Sequence, residues 1–437
     1  MRGEISTCYA DMWRGSALDL RPLPMATLSE VSVETWPEDP GRWASEIVAD
    51  LCSAVPDRRP GSSGNSQATS YVAGLLSRMG WPVEQQAFDC VDWRTDGGSL
   101  TVGGLAIDVT PSPYGCGVSA VGPLRILRNR EDLQRQDLGG AVVVLDGDLA
   151  SEPIPPKAYP FYGSDEHAAL ISMLEAAAPA AVIAITGRYP ALCGALDPFP
   201  LIEDGDFGIP TGNMRPDVRA HVSARDGEPA TVEIRSERWP TTACNVVATR
   251  GRRGGRLTIA AHIDTKPGTP GAVDNAAGVA AVVLLAGLLS PKRRSSLDVG
   301  LELLVVNGED HYAAPGEVAW LSDNKDTLDD VALFINIDGA GYREGRTAYS
   351  TYNVAANVQF RIDRAFEGRQ DLAEGPAWYQ SDHAIFAMQG RPALAFTTEH
   401  VDAMLETLFH APSDTPERVD AALVVGIATA LEGLVLD

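Results

Sequence analysis

Histidine and carboxylate residues follow several apolar runs in the second half of the chain, at the points where predicted strands end. In open α/β sheets, functional side chains gather beyond the carboxyl ends of the strands. The residues that follow predicted strands are His262, Asp264, Glu309, Asp310 and Asp338. Asp274 opens a predicted helix after a short Gly/Pro loop, and His410 comes after a strand and a loop. Imidazole and carboxylate groups together suit a borderline divalent cation. The ordered series therefore predicts a metal site that the fold assembles from separate segments.

The elements that must position these residues alternate between strands and helices from residue 244 onward. Near-continuous apolar runs predict buried strands at 244–249, 257–261, 299–306, 331–337 and 393–397. Helical spacing predicts helices at 276–290, 353–367, 382–389 and 416–435, the last opened by a capping box that starts at Asp414. This alternation predicts an α/β fold with a mixed, mostly parallel sheet covered by helices on both faces.

Residue composition and the pattern of predicted elements divide the chain into three regions. Residues 1–40 are predicted to form an N-terminal extension, in which Met25 is an alternative start. Residues 41–95 and 240–437 are assigned to the α/β domain. Residues 96–239 are rich in Gly and Pro and are predicted to form an inserted, mostly β domain. Its strands are expected at 101–109, 122–127, 141–146, 181–186, 217–223 and 230–235.

Composition excludes several classes of protein. Acidic residues outnumber basic ones by 59 to 35 in a chain of 437, for a net charge of −24, which argues against a nucleic-acid partner. The longest apolar run, residues 276–289, is shorter than the roughly 20 residues that cross a bilayer. With no signal-peptide pattern, we expect a cytoplasmic protein without membrane association. The six cysteines lack metal or redox spacing and are expected to be free thiols.

Several stretches of the sequence together resemble one known family. They are AAHIDTKPGTPGAVDNAAGVAAVVLLA (260–286), VVNGED (305–310), FINIDGAG (334–341), SDHAIFAMQGRPAL (381–394) and HAPSDTPERVD (410–420). This set resembles the dinuclear-zinc peptidases that include bacterial leucyl aminopeptidases, glutamate carboxypeptidase II and, more distantly, glutaminyl cyclases. The resemblance implies the zinc exopeptidase fold and two zinc ions per chain. More weakly, GGAVVVLDGDLA makes the inserted region resemble a protease-associated domain.

The resemblance also implies a role for each residue of the series. His262 and Asp338 would bind one zinc ion, and Asp310 and His410 the other. Asp274 would bridge the two ions, since a closely spaced metal pair needs a shared anion. Glu309 would act as the general base. Asp264 is expected to accept the free ring N–H of His262 and fix its tautomer.

Two positions depart from the family pattern. Asp310 stands where relatives usually have Glu, so the second metal ion is expected to sit differently or bind more weakly. Phe409, before the final histidine, replaces a frequent Tyr, whose hydroxyl would stabilise an oxyanion. Tyr379, just before Ser381, is our candidate to supply that hydroxyl.

The resemblance favours an aminopeptidase that removes N-terminal residues from peptides. A dipeptidase, carboxypeptidase or deacylase acting on a peptide or small amide is the alternative, because the same metal water would cleave any amide placed across it. Arginines near the site would favour a substrate with a carboxylate, and Arg343, Arg346 and Arg391 are the candidates. A metal-free binding protein on the same scaffold is a third hypothesis, and a homodimer is an open alternative for assembly.

The remaining histidines near the motifs are expected to be ancillary. His383 follows Ser381, the predicted N-cap of its helix, and is predicted to be structural. His311 and His400 are predicted to be solvated loop residues, with a place in the pocket as the alternative.

Overall fold

A computed structural model describes residues 39–55, 57–151, 154, 157, 165–186, 207–251 and 255–436. The predicted N-terminal extension, with Met25, lies outside the described residues apart from its last two. Within this part of the chain, no helix is long and apolar enough to cross a membrane. Cys52, Cys90, Cys116 and Cys244 are free thiols, as the sequence predicts, although only Cys52 and Cys90 of these four are buried. Cys8 and Cys193 lie outside the described residues.

The helices are short to medium in length. They are α1 (Pro40–Ala49), α2 (Ser63–Arg78), α3 (Arg130–Arg135), α4 (Asp165–Ala177), α5 (Arg219–Ser223), α6 (Ala277–Leu288), α7 (Pro315–Asn324), α8 (Ala356–Phe366), α9 (His383–Met388), α10 (Val401–Thr407) and α11 (Ala421–Leu436).

The strands include two that are much longer than the rest, β1 and β7. In chain order the strands are β1 (Val83–Val102), β2 (Leu105–Pro111), β3 (Val118–Leu127), β4 (Val142–Leu145), β5 (Ala181–Ile185), β6 (Thr211–Met214), β7 (Pro229–Arg250), β8 (Arg256–His262), β9 (Leu301–Val306), β10 (Val331–Ile337), β11 (Thr347–Tyr352), β12 (Leu372–Glu374) and β13 (Ala393–Thr398).

The central part of the sheet has the order β1-β7-β9-β8-β10-β13-β11-β12. Strands β9, β8, β10 and β13 run parallel to one another. β7 pairs antiparallel with β9, and β11 pairs antiparallel with β13 but parallel with β12. The predicted mixed, mostly parallel arrangement is confirmed. Because the four parallel strands share a direction, their carboxyl ends meet at one edge.

Helices cover both faces of this sheet, as predicted. Ile259 and Ala261 of β8 pack in a core with helices α1, α2, α6 and α11, while the intervening Ala260 packs on the other face with α7 and α9. Successive strand side chains point to opposite faces. A strand buried on both faces therefore appears in the sequence as an uninterrupted apolar run.

The inserted region is joined to the central sheet by a continuous two-stranded ribbon. β1 and β7 pair antiparallel from Val83↔Ala248 to Val102↔Ala230, so the proposed boundaries near 95 and 240 fall inside strands. At the far end of the ribbon, β2 to β6 complete the insert. β3, β4, β5 and β6 lie side by side in that order and are parallel to one another, while β2 pairs antiparallel with β6. The strand predicted at 217–223 is wrong, since Pro216–Val218 and α5 are helical there.

The start of the last helix also differs from the prediction. Residues Pro416–Arg418 form one 3-10 turn, and α11 begins only at Ala421. Asp414 does not cap this helix, because its carboxylate accepts the backbone N–H groups of Val273 and Asp274 at 2.8 and 3.0 Å. Hydrogen bonds to a distant segment thus take the place of the predicted capping of the last helix.

Candidate metal centre

The five predicted ligands all lie at the edge where the parallel strands end. His262 is the last residue of β8, and Asp338 directly follows β10. Asp310 lies in the turn after β9, Asp274 in the turn that leads into α6, and His410 after α10. The peptide bond between Asp274 and Asn275 is cis. The fold therefore brings together residues from five segments.

The ligand atoms form two groups that share one residue. His262, Asp274 and Asp338 offer atoms within 4.8 Å of one another, and so do Asp274, Asp310 and His410. In the first group, His262 Nε2 lies 3.1 Å from Asp274 Oδ1 and 3.3 Å from Asp338 Oδ1. In the second, His410 Nε2 lies 3.2 Å from Asp274 Oδ2 and 3.0 Å from Asp310 Oδ1. Each oxygen of Asp274 thus serves a different group.

The buried carboxylates of the site need positive charge close by to offset their negative charge. Burial alone would lower the pKa of His262, but Asp338, Asp264 and Asp274 outweigh it and raise that pKa well above its usual value. The pKa of His410 is raised in the same way, against burial, by Asp310 and Asp274. Protons on both imidazoles offset the buried carboxylates here, and divalent cations would do so more completely. The donor set fits two zinc ions.

Glu309 lies beside this centre and is buried, with 8% of its surface exposed. Burial raises the pKa of Glu309 well above its usual value; nearby His262 opposes the rise, and Asp310, Asp338 and Asp382 add to it. A carboxyl group whose pKa is raised in this way holds a proton more readily, as a general base must during its reaction.

Asp264 is placed beside His262, but its carboxylate has a different partner from the one predicted. Its Oδ1 is 3.7 Å from His262 Nδ1, beyond hydrogen-bond distance, and the backbone carbonyl of Asp264 accepts from Nδ1 at 3.2 Å. The carboxylate instead accepts the backbone N–H groups of Gly308, Glu309 and Asp310 at 2.6, 3.2 and 3.0 Å. The carboxylate of Asp264 therefore anchors the turn that carries Glu309 and Asp310, while its backbone carbonyl sets the tautomer of His262.

That turn also depends on a glycine. Gly308 has φ of 108°, a conformation that side-chain-bearing residues rarely adopt, and a Cβ there would lie 2.8 Å from the ring of Pro315. The glycine lets the chain turn sharply after β9 and aim the next two side chains at the site.

Two supporting residues were missed by sequence reasoning. Arg58 is fully buried and donates to the carbonyls of Ile263, Pro270 and Gly271, so it holds the loop between His262 and Asp274. Asp414 holds the other end of that loop through the two amides described above. Neither residue belongs to a ligand pattern, and only the tertiary contacts reveal them.

A pair of buried carboxylates lies behind the centre. Asp382 and Glu317 are 3% and 5% exposed and line one small apolar cavity with Phe334 and Phe386. Among the described residues, neither carboxylate has a hydrogen-bond partner. Burial raises the pKa of Asp382 to about 7; His262 opposes this, and Asp264 and Asp310 add to it. Asp382, which precedes α9, is therefore a buried titratable group beside the centre and not only a residue at the start of a helix.

The remaining candidates lie outside the two ligand groups. Tyr379 is 44% exposed on the loop before α9, where its ring packs against Tyr352 at 5.3 Å, so its role at an oxyanion stays a prediction. His383 is buried and contacts the Trp378 carbonyl at 2.8 Å, which agrees with a structural role. His400 is exposed, as predicted. The prediction of a solvated His311 is wrong, because that residue is 1% exposed.

Comparison with known proteins supports the resemblance seen in the sequence. Residues 245–434 match the sequence model described as peptidase family M28. A Mycobacterium tuberculosis protein named "Probable lipoprotein aminopeptidase LpqL" is 26% identical over 309 residues, which are 67% of this chain and 56% of that relative. The match thus spans little more than half of the curated relative's length.

Solved structures share the fold over most of the chain. An aminopeptidase from Aneurinibacillus sp. strain AM-1 superposes with a TM-score of 0.69 at 20% identity, covering 90% of this chain and 93% of that one. BSAP, a zinc aminopeptidase from Bacillus subtilis, gives 0.68 at 17% identity, with coverage of 90% and 94%. These likenesses confirm the predicted α/β architecture.

Proposed function

Because residues 245–434 match the sequence model of peptidase family M28, we propose that this protein is a zinc-dependent aminopeptidase. The observation that carries the proposal is the position of Asp274, whose two oxygens contact His262 and His410 separately. A carboxylate shared in this way is what a pair of metal ions requires. The names of the relatives, among them a zinc aminopeptidase, agree with it.

In this proposal the five ligands hold two zinc ions as the resemblance implies. His262 and Asp338 would hold one ion, Asp310 and His410 would hold the other, and Asp274 would be shared by both. When bound, the ions polarise the scissile carbonyl and lower the pKa of a water molecule. Asp310, one methylene shorter than the usual Glu, is held by the backbone N–H of Lys266 at 3.1 Å.

Glu309 moves the proton. Its carboxylate accepts a proton from the attacking water and gives it to the leaving amine. Burial favours this, and the surrounding carboxylates add to it, because both destabilise the ionised form of Glu309 and so raise its pKa. The rigid turn held by Asp264 keeps the carboxyl in place during both transfers.

The acidity of the centre supports recognition of a free amine over a carboxylate. Two of the arginines that would have favoured a carboxylate are already engaged in ion pairs: Arg346 with Glu399 at 3.0 Å and Arg391 with Asp329 at 2.9 Å. Arg343 is exposed. A dipeptidase, carboxypeptidase or deacylase remains the alternative that the experiment below separates.

Further parts of the proposal concern the rest of the chain. The inserted region is proposed to be a protease-associated-like domain, with parallel β4 and β5 beside α4 in support. Tyr379 is proposed to stabilise the oxyanion. A cytoplasmic location stays a prediction, and cell fractionation would test it, since one relative is named as a lipoprotein. The homodimer is tested by the mass of the purified protein in solution.

The experiment that tests the function offers the zinc-loaded protein a mixture of peptides with free and acetylated N-termini. Elemental analysis first counts the metal ions, and two per chain are expected. Mass spectrometry then reports which ends shorten, with Glu309→Gln as the matched control. Stepwise loss from free N-termini only, absent in the control, supports the aminopeptidase. Loss of C-terminal residues or acetyl groups supports the alternative, and a chain that binds no metal contradicts the catalytic proposal.

A further inference from the structure

We infer that His311 is a positioning residue, which fixes the turn carrying Glu309 and Asp310 to strand β1, and that Tyr114 of the inserted region holds it there. The inference rests on the proposed function, because it gives His311 a purpose in the same site. It also gives the insert a direct part in shaping that site.

The hydrogen bonds of His311 use both ring nitrogens. Its Nε2 lies 3.0 Å from the Val91 carbonyl of β1, and a carbonyl can only accept, so Nε2 carries the hydrogen. The backbone N–H of Ala313 donates to Nδ1 at 3.3 Å, which requires a lone pair there. The His311 backbone N–H donates to the Gly308 carbonyl at 3.2 Å. One neutral tautomer thus closes the turn and ties it to β1.

Aromatic rings from distant segments enclose the imidazole. The ring centre of Tyr114 lies 4.3 Å from that of His311 and 5.3 Å from that of Tyr312. Trp93 of β1 contacts Tyr114 in turn, at 6.1 Å. Tyr114 is fully buried and lies between β2 and β3, inside the inserted region. The insert therefore contributes the ring on which His311 rests.

Asp264 and His311 together restrain the turn that carries Glu309 and Asp310. Asp264 holds the backbone of residues 308–310 from one side, and His311 holds the next residues from the other. The turn is fixed between a carboxylate of the catalytic domain and an aromatic cluster shared with the insert. Catalytic and ligating groups must stay within about 0.5 Å of their working geometry, which such a double anchor provides.

The test compares His311→Phe with His311→Gln. The first keeps a ring for Tyr114 but loses both nitrogen hydrogen bonds, and the second keeps an N–H donor near the Nε2 position. His400→Phe, on an exposed histidine, is the matched control. Each protein is titrated with Co²⁺, which serves the same ligands, and its visible absorption spectrum reports the coordination. The kcat and KM for the best peptide of the library are then measured.

We expect His311→Phe to weaken binding of the second metal ion by about 10–100-fold and to lower kcat similarly, with KM little changed. His311→Gln should recover much of both losses, and His400→Phe should match the wild type. Unchanged cobalt binding and kcat in His311→Phe would overturn the inference. If His311→Phe does not fold, Tyr114→Leu decides: a smaller loss in the same direction supports the inference, and wild-type behaviour overturns it. The cobalt spectrum keeps the two questions apart, since a wild type without peptidase activity contradicts only the proposed function.

Discussion

Replacing Asp264 by Asn tests how the turn that carries Glu309 and Asp310 is held in place. The side chain keeps its shape but exchanges one carboxylate oxygen for an NH₂ group. The carboxylate of Asp264 accepts three buried N–H groups, two on Oδ1 and one on Oδ2. Asparagine can keep at most the two on one oxygen, so the N–H of Asp310 would face another donor.

The size of the effect follows from these bonds. A buried donor without a partner costs about 1–3 kcal/mol, and the two remaining bonds lose about 1 kcal/mol each when the acceptor is no longer charged. We therefore expect the zinc-loaded Asp264→Asn protein to lose about 3–5 kcal/mol of unfolding free energy. Displacement of Glu309 and Asp310 should lower kcat by about 10–100-fold.

Urea unfolding followed by tryptophan fluorescence measures the first effect, and peptide turnover measures the second. The matched control is Asp326→Asn, which removes the same charge from an exposed residue and should behave like the wild type. A variant that unfolds within about 1 kcal/mol of the wild type and keeps its kcat would refute the reasoning, because three charge-assisted bonds are expected to contribute more than that.

Three further results are expected. Asp274→Ala should lose both metal ions in elemental analysis, because it serves both groups, whereas Asp338→Ala should keep one; equal loss in both variants would contradict the shared ligand. Arg58→Met should lower the unfolding free energy by at least about 3 kcal/mol, since several buried carbonyls lose a charged donor; an unchanged urea midpoint would contradict this. Burial lowers the pKa of His383 to about 4. Its folded pKa is thus below the unfolded value of about 6.5, so its contribution to stability is complete above pH 6.5 and is lost as the pH falls toward 4, by at most about 1.4 kcal/mol per pH unit. In the metal-free protein, His383→Gln should show a shallower fall in its urea midpoint over this range than the wild type, and equal slopes would contradict the assignment.

The sequence indicated the five candidate ligands because most of them follow a buried strand or a turn beside one, although His410 follows α10. The period of the apolar runs gives the strands, and the parallel order brings their carboxyl ends together. His262 and Asp338 are adjacent for this reason, although the chain between them is long. The position of a residue at the carboxyl end of a strand depends on the topology of the sheet, so it can be predicted without knowing how the side chains pack.

What the sequence could not reveal depends on contacts between distant segments. The partner of the Asp264 carboxylate is a turn after another strand, and its amides become available only once Gly308 bends the chain. His311 looks like a loop residue until the insert folds against it. Asp414 has the local pattern of a helix cap, yet its carboxylate accepts the backbone N–H groups of Val273 and Asp274, which are far away in the sequence. In each case the local sequence favours one conformation only weakly, and contacts with a distant segment determine what the side chain binds.

The ribbon of β1 and β7 has a consequence for how the chain folds during synthesis. β1 emerges early, but its partner follows only after the whole inserted region has been made, because Val102 pairs with Ala230 and Val83 with Ala248. Until then residues 83–95 of β1, which pair with β7, present unpaired backbone groups to their surroundings, whereas Gly98–Val102 also pairs with β2, which follows at once. Pairing between such distant segments is slow and leaves the chain open to aggregation. A nascent chain interrupted inside the insert would therefore expose this edge, and the insert must be complete before β7 can join β1 to the central sheet.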